Sequence, residues 1–129
     1  MTGSEYKVEE VSGKVLIVED EPDVADLVAD VLQMEGYNPH ICSGETALDD
    51  ALHFQPDVVL LDLMMPVVDG FEVARRLRAN QLTRDVTIVV MTAMHDPASR
   101  AQEVGTPYFV AKPFDIGDLL QVVREAYPV

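Results

Sequence analysis

Short, unbroken apolar runs recur along the chain, and most of them end abruptly in polar residues. Such runs predict strands covered on both faces of a sheet, because they lack the alternating polar positions of a half-exposed strand. The predicted strands are Lys14 to Val18, Pro39 to Ser43, Asp57 to Leu61, Val86 to Met91 and Tyr108 to Ala111. Proline cannot donate to a strand ladder, so the second run is expected at an edge of the sheet.

Apolar residues at helical spacing follow every one of these runs. Prolines early in a segment suit a first helical turn, and the glycines and prolines further on are typical stops. The predicted helices run from Pro22 to before Gly36, from after Ser43 to before Pro56, and over Phe71 to Ala79, Pro97 to Val104 and Phe114 to Tyr127.

Strand followed by helix, five times over, predicts an α/β fold with a doubly wound parallel sheet and helices on both faces. Right-handed crossovers and the edge strand with its proline favour the strand order 2-1-3-4-5, a flavodoxin-like sheet. In that order the first and third strands are neighbours at the point where the winding reverses.

The ends of the predicted strands carry the candidate chemistry. Glu19 and Asp20 follow the first strand, Asp62 the third, Thr92 the fourth and Lys112 the fifth. These ends meet at the edge where open α/β sheets bind ligands. Clustered carboxylates suit Mg²⁺, with Glu19, Asp20 and Asp62 as its ligands, and a cation beside a lysine suits a phosphoryl group.

Asp62 is the predicted phosphoacceptor, because a carboxylate can attack phosphorus to give an acyl phosphate. Lys112 is expected to pair with Asp62 and then with a phosphoryl oxygen, to which Thr92 donates its hydroxyl. Each residue also has a structural alternative: Asp62 as a turn cap, Lys112 as a solvated lysine, Thr92 as a strand-end residue. Taken singly, these alternatives stay open, as does the isomer of the peptide bond before Pro113.

Composition narrows the class of protein. The 9 basic and 23 acidic residues give a net charge of −14, which disfavours nucleic acids and anionic membranes as partners. No apolar stretch has the length of a membrane span and no signal peptide is evident, so a cytoplasmic location is expected. Residues 1–12 are expected to form a polar leader and residues 13–129 one domain, with Cys42 packed as a small hydrophobe.

The ordered motif set resembles a known family. Glu19-Asp20, the segment DLMMPVVDG that begins at Asp62, MTA around Thr92 and AKPF around Lys112 occur in this order. This arrangement is similar to the receiver domain of two-component response regulators, from about Lys14 to Tyr127.

The resemblance implies a phosphoacceptor signalling protein rather than a conventional enzyme. Asp62 would take a phosphoryl group from a histidine kinase or a histidine phosphotransfer protein, and output would be a change in protein–protein interaction. The family implies Mg²⁺ held by Asp20, Asp62 and the backbone carbonyl of Met64, and a coupled movement of Thr92 and Phe109. A monomer or weak dimer is expected.

Three departures from the family pattern bear on these expectations. Glu19 stands where aspartate is more frequent, which is expected to keep metal binding and shift its geometry. Phe109 stands where tyrosine is frequent and brings no hydroxyl. The segment from Thr92 to Lys112 is about two residues shorter than in most relatives, so the face around the fourth helix is the weakest part of the resemblance.

Three rival functions fit less well. An aspartate-based phosphohydrolase would carry its nucleophile after the first strand with a second aspartate two residues later, whereas the residue two after Asp62 is Met64. A flavin-binding electron carrier would need a phosphate loop after the first strand, where the acidic segment from Glu19 would repel phosphate. A receiver-like interaction module that is never phosphorylated is the remaining alternative, although none of the expected acidic or lysine positions is lost.

Overall fold

The computed structural model describes residues 12–129. The expected leader, residues 1–12, therefore lies outside the described residues apart from Ser12. Within residues 12–129, no helix combines the length and the apolar character that crossing a membrane would require.

Five parallel strands form one sheet in the order β2-β1-β3-β4-β5, which confirms the predicted topology. The strands are β1 (Lys14–Val18), β2 (Asn38–Cys42), β3 (Val58–Asp62), β4 (Thr87–Thr92) and β5 (Tyr108–Ala111). Strand β2 lies at an edge, as its proline predicts. The pairing of β1 with β3 places the ends of these two strands side by side in the interior of the sheet.

Within the described part of the chain, five helices connect and flank the strands. They are α1 (Pro22–Met34), α2 (Ala47–Phe54), α3 (Gly70–Ala79), α4 (Pro97–Val104) and α5 (Ile116–Ala126). Gly36 and Gly105 follow α1 and α4 with φ angles of 95° and 88°, a left-handed conformation that glycine adopts at little cost and that ends a helix.

Several predicted boundaries were wrong by one or two residues, each for a local reason. β3 starts after Asp57, because that side chain instead accepts a hydrogen bond from the Lys14 backbone at 2.9 Å. At its other end β3 includes Asp62, and β4 likewise includes Thr92. The last helix starts two residues later than predicted because Asp115 caps it, accepting from the Gly117 amide at 2.7 Å.

The unbroken apolar runs are explained by two core layers, one on each face of the sheet. In β1, Leu16 and Val18 face the layer that includes α2, α3 and α4, whereas Val15 and Ile17 face the layer that includes α1 and α5. Successive residues of a strand point to opposite faces, so a strand covered on both sides needs apolar residues throughout.

Cys42, the one cysteine of the chain, is buried at the end of β2, as expected for a small hydrophobe. Burial raises the pKa of its thiol to about 12, and the nearby carboxylate of Asp50 adds to the increase. This thiol is therefore protonated at neutral pH.

Gly70 fixes how α3 meets the end of β3. A Cβ atom at this position would collide with the carbonyl oxygen of Asp62 and would lie 2.6 Å from the Cα of Leu63. The Gly70 amide donates to the Leu63 carbonyl at 3.1 Å. Glycine is needed here because only a residue without a side chain lets the first turn of α3 approach the backbone beside Asp62.

Candidate functional site

The carboxyl ends of β1, β3 and β5 bring three of the predicted residues into direct contact. Lys112 Nζ lies 2.6 Å from Glu19 Oε1 and 3.2 Å from Asp62 Oδ2. One carboxylate oxygen from each of Glu19, Asp20 and Asp62 lies within 4.8 Å of the other two. We call Glu19, Asp20, Asp62 and Lys112 the pocket cluster.

Glu19 has a structural role that its sequence context does not indicate. Its side chain is fully buried. One carboxylate oxygen binds Lys112, and the other accepts a hydrogen bond from the Glu21 backbone at 3.2 Å, at the start of α1. Glu19 thus links the first helix to the lysine that follows β5.

The pKa values of both Glu19 and Lys112 are raised by their surroundings. Burial raises the pKa of Glu19 to about 7; the hydrogen bond from Lys112 opposes this increase and the neighbouring Asp62 reinforces it. Burial acts to lower the pKa of Lys112, but its hydrogen bond to Glu19 and the charge of Asp62 outweigh burial, so the pKa of the lysine is raised. Lys112 is therefore a permanent cation between these carboxyl groups.

Asp62 makes two kinds of contact, one within the following turn and one with Lys112. Its side chain is 2% exposed. Oδ1 accepts a hydrogen bond from the Met64 amide at 3.0 Å, so the aspartate does cap the following turn. Oδ2 faces Lys112, so the same side chain also belongs to the pocket cluster.

Thr92 lies at the end of β4, fully buried, beside the strand that leads to Lys112. The Lys112 amide donates to the Thr92 carbonyl at 2.8 Å, which ties the two strand ends together. The Thr92 hydroxyl oxygen accepts from the Met94 amide at 3.0 Å. This contact uses a lone pair and leaves the hydroxyl proton free to be donated elsewhere.

A cavity of about 230 Å³ opens beside the pocket cluster and is lined by Glu21, Asp62, Met64, Ala93 and Lys112. The small side chain of Ala93 leaves room at this cavity, and the sequence alone did not indicate that Glu21 would also line it. Met64 is 57% exposed, so this residue is not packed into the core.

Met65, Met94 and Phe109 pack as apolar residues. Met65 is buried and Met94 packs against the same core layer. Phe109 is half-buried on β5, next to a surface cavity of about 450 Å³ between α4 and β5. The Lys112–Pro113 peptide bond is cis.

Comparison with known proteins establishes the class. The family model for the response regulator receiver domain matches residues 15–124. The chain therefore belongs to the receiver domain family of response regulators, as the motif resemblance predicted.

Individual relatives cover different shares of their own length. The sporulation initiation phosphotransferase F of Bacillus subtilis is 33% identical over 119 residues, 90% of this chain and 94% of that protein. The DNA-binding dual master transcriptional regulator RpaA of Synechocystis sp. is 37% identical over 114 residues, 86% of this chain but 47% of that protein. The chain thus spans about half the length of several curated relatives it matches.

Solved receiver domains have the same fold. The receiver domain of the sensor histidine kinase PA1611 of Pseudomonas aeruginosa, determined with a magnesium ion coordinated in its active-site cleft, superposes with a TM-score of 0.78. It is 27% identical to this chain, covering 88% of the chain and 96% of that structure.

Proposed function

We propose that Asp62 is the phosphoacceptor of a Mg²⁺-dependent phosphorelay, in which a histidine kinase or a histidine phosphotransfer protein is the donor. A carboxylate oxygen of Asp62 attacks the phosphorus, an acyl phosphate bond forms, and the bond from phosphorus to the donor imidazole nitrogen breaks. The observation that carries this proposal is the contact of Lys112 with both Asp62 and Glu19 at one edge of the sheet.

The residues present fit a magnesium ion. The pocket cluster contains three carboxyl groups and one lysine, so carboxyl groups are in excess, and their oxygens are the hard ligands that Mg²⁺ prefers. Asp20, Asp62 and the backbone carbonyl of Met64 would hold the ion, with Glu19 in support. When bound, the ion would offset the negative charge of the transferring phosphoryl group.

Lys112 and Thr92 have complementary parts in the proposal. The ammonium group of Lys112 neutralises Asp62 before transfer and can then bind a phosphoryl oxygen. The free hydroxyl proton of Thr92 can be donated to another phosphoryl oxygen. Because the chain itself supplies these groups, we expect it to promote its own phosphorylation from a small donor without a kinase.

Output in this proposal is a shift between two states of the domain. Contacts from Thr92 to the phosphoryl group would favour one state, and Phe109 beside the cavity between α4 and β5 would change with it. Protein partners are expected to read this change. The strongly acidic surface supports protein rather than nucleic acid as the direct partner. One domain over residues 13–129 and a cytoplasmic location belong to the same proposal.

Intact-mass measurement after incubation with acetyl phosphate and Mg²⁺ tests this function. The wild type is expected to gain the mass of one phosphoryl group, and Asp62→Asn to gain none. Asp118→Asn, a change of the same kind at an exposed position on α5, is the matched control and should be phosphorylated like the wild type. An unmodified wild type, or equal modification of Asp62→Asn, would contradict the proposal and favour a receiver-like module without phosphorylation.

A further inference from the structure

The positive charge of this chain is concentrated in one segment. Residues 70–104, from the start of α3 to the end of α4, contain five of the nine basic residues but only four of the 23 acidic residues. This segment therefore carries a net charge of +1, whereas the remainder, with four basic and 19 acidic residues, carries −15. Such a difference favours different partners for the two parts of the surface.

A groove of about 380 Å³ lies between α3 and α4 within this segment. It is lined by Phe71, Ala74, Arg75, Arg78, Glu103 and Val104. Phe71, Ala74 and Val104 also pack in the core layer on this face of the sheet, so the core holds the apolar part of the groove in place. Other residues of α4 line the cavity beside Phe109, so the groove is a separate surface.

Arg78 is a half-buried cation in this groove, and it has no carboxylate partner within residues 12–129. Its Nη1 atom donates to the carbonyl oxygens of Arg84 at 2.7 Å and Val86 at 2.6 Å, which are neutral acceptors. Burial lowers the pKa of this guanidinium, and the charge of Asp85 opposes the decrease. The arginines of the described chain that do pair with a carboxylate are Arg75, Arg76, Arg100 and Arg124. Arg78 therefore brings uncompensated positive charge to a partly desolvated place.

Holding the loop after α3 uses only part of the Arg78 side chain. A guanidinium has five N–H donors, and the two bonds to the loop occupy Nη1 alone, which leaves Nε and Nη2 without an acceptor in the described part of the chain. Nε and Nη2 form an edge that can bind a carboxylate through two parallel hydrogen bonds. Because Arg78 is half-buried, a carboxylate would interact with it more strongly than with an arginine in open solvent.

We propose that the groove between α3 and α4 binds an acidic segment of a partner protein, with Arg78 as its carboxylate-binding residue. An apolar side chain of that segment packs on Phe71 and Val104, and an aspartate or glutamate binds Arg78. Charge complementarity favours this occupant, because the acidic remainder of the chain repels an acidic segment from the other faces. Screening over about 8 Å at physiological salt lets the local charge of the groove decide. A nucleic acid is disfavoured, because its continuous phosphate chain would extend over the acidic remainder. The proposal does not depend on phosphorylation of Asp62.

The test uses a short fluorescent peptide of glutamate and leucine residues, and a second peptide in which glutamine replaces the central glutamates. Fluorescence anisotropy gives the dissociation constants, and amide chemical shifts in NMR spectra locate the bound peptide. Arg78→Gln removes the proposed carboxylate-binding group, and Glu103→Gln removes a negative charge from the lining of the groove. Arg124→Gln is the matched control, because it makes the same change of net charge on α5, outside the groove.

We expect the glutamate peptide to shift the amide signals of α3 and α4 and to bind more tightly than the glutamine peptide. Arg78→Gln should weaken its binding about tenfold, because charge-assisted hydrogen bonds are lost. Glu103→Gln should strengthen binding about threefold, because a repulsive charge is removed from the groove. Arg124→Gln should bind within about twofold of the wild type, because its charge is screened from the groove.

Wild-type affinity in Arg78→Gln would overturn the proposal. So would shifted signals confined to other helices, equal binding of the two peptides, or an equal loss in Arg124→Gln, because each would remove the specific role of the groove. Since Arg78 also holds the loop after α3, a loss in Arg78→Gln supports the proposal only if Glu103→Gln gains affinity, which damage to the fold cannot produce. Absence of that gain would overturn the proposal as well.

Discussion

Two clusters of carboxylates and cations in this protein have similar contacts but opposite electrostatics. In the pocket cluster, Lys112 lies 2.6 Å from Glu19. In a second cluster on α3, Glu72 accepts hydrogen bonds from Arg75 at 2.8 Å and from Arg76 at 2.9 Å. The pKa of Glu19 is raised to about 7, whereas hydrogen bonds from Arg75 and then Arg76 lower the pKa of Glu72 to about 2.

Burial and the ratio of charges explain the difference. The side chain of Glu19 is fully buried and shares one lysine with Asp62, whereas that of Glu72 is 34% exposed and has two arginines to itself. The α3 cluster is electrostatically satisfied, and the pocket cluster has too little positive charge. A short ion pair therefore does not identify a functional site, but a buried surplus of one charge does indicate where a ligand of opposite charge binds.

Removing one cation from each cluster should give the largest difference in stability between the two clusters. Lys112→Met at pH 8 without Mg²⁺ is expected to lower the free energy of unfolding by about 3 kcal/mol, because it leaves buried carboxylates unpaired. Arg75→Met should leave the urea midpoint unchanged, because its pair is on the surface. Urea unfolding followed by circular dichroism measures both. Equal losses in the two variants would show that burial is not the deciding factor.

A pH series should show a smaller effect in the pocket cluster. Because the pKa of Glu19 is raised in the folded state, its contribution to stability is complete below pH 4.5 and is lost as the pH rises through about 7. Without Mg²⁺, the wild type should lose on the order of 2 kcal/mol across this range relative to Glu19→Gln, which should lack this component.

For Glu72, stability should change with pH in the opposite direction. Its lowered pKa means that its contribution is present above pH 4.5 and is lost only as the pH falls toward about 2. Urea midpoints of the wild type, Glu19→Gln and Glu72→Gln at each pH separate the two. Stability that rises in the wild type between pH 5 and 7 relative to Glu19→Gln would contradict the raised pKa of Glu19.

Salt should have the smallest effect and should act mainly on the α3 cluster. Raising the salt concentration to about 1 M shortens the screening length to roughly 3 Å, so the pKa of the exposed Glu72 should rise toward its usual value. The pKa of Glu19 should change less, because its partners are buried with it. Carboxyl-carbon NMR titrations at low and high salt measure both values. A larger salt effect on Glu19 would mean that solvent reaches the pocket cluster freely.

The sequence predicted the sheet and most of the site because both follow from one rule. Parallel strands place their carboxyl ends at one edge, so residues after the apolar runs had to meet there. By this rule Glu19, Asp62 and Lys112 lie at one edge of the sheet, where Lys112 contacts both carboxyl groups. The ends of α1 and α4 at Gly36 and Gly105 were also predictable from the sequence, because both glycines have the positive φ angles that this residue allows.

What the sequence did not reveal depends on contacts between distant segments. The division of Lys112 between two carboxylates and the bond from Glu19 to the Glu21 amide are tertiary features. Val67, between β3 and α3, has a φ angle of 68° in a turn that the sequence hid for a different reason, since left-handed positions are recognised from glycine or asparagine. A valine in such a turn gives no local signal.

The buried thiol of Cys42 also makes the native chain a convenient background for site-directed labelling. With a pKa of about 12 and almost no exposure, this sulfur should be inert toward maleimide reagents near pH 7. A reporter dye could then be attached through Val67→Cys without first removing the natural cysteine. In a chain without tryptophan, such a dye would give a clear optical signal of what approaches the loop between β3 and α3.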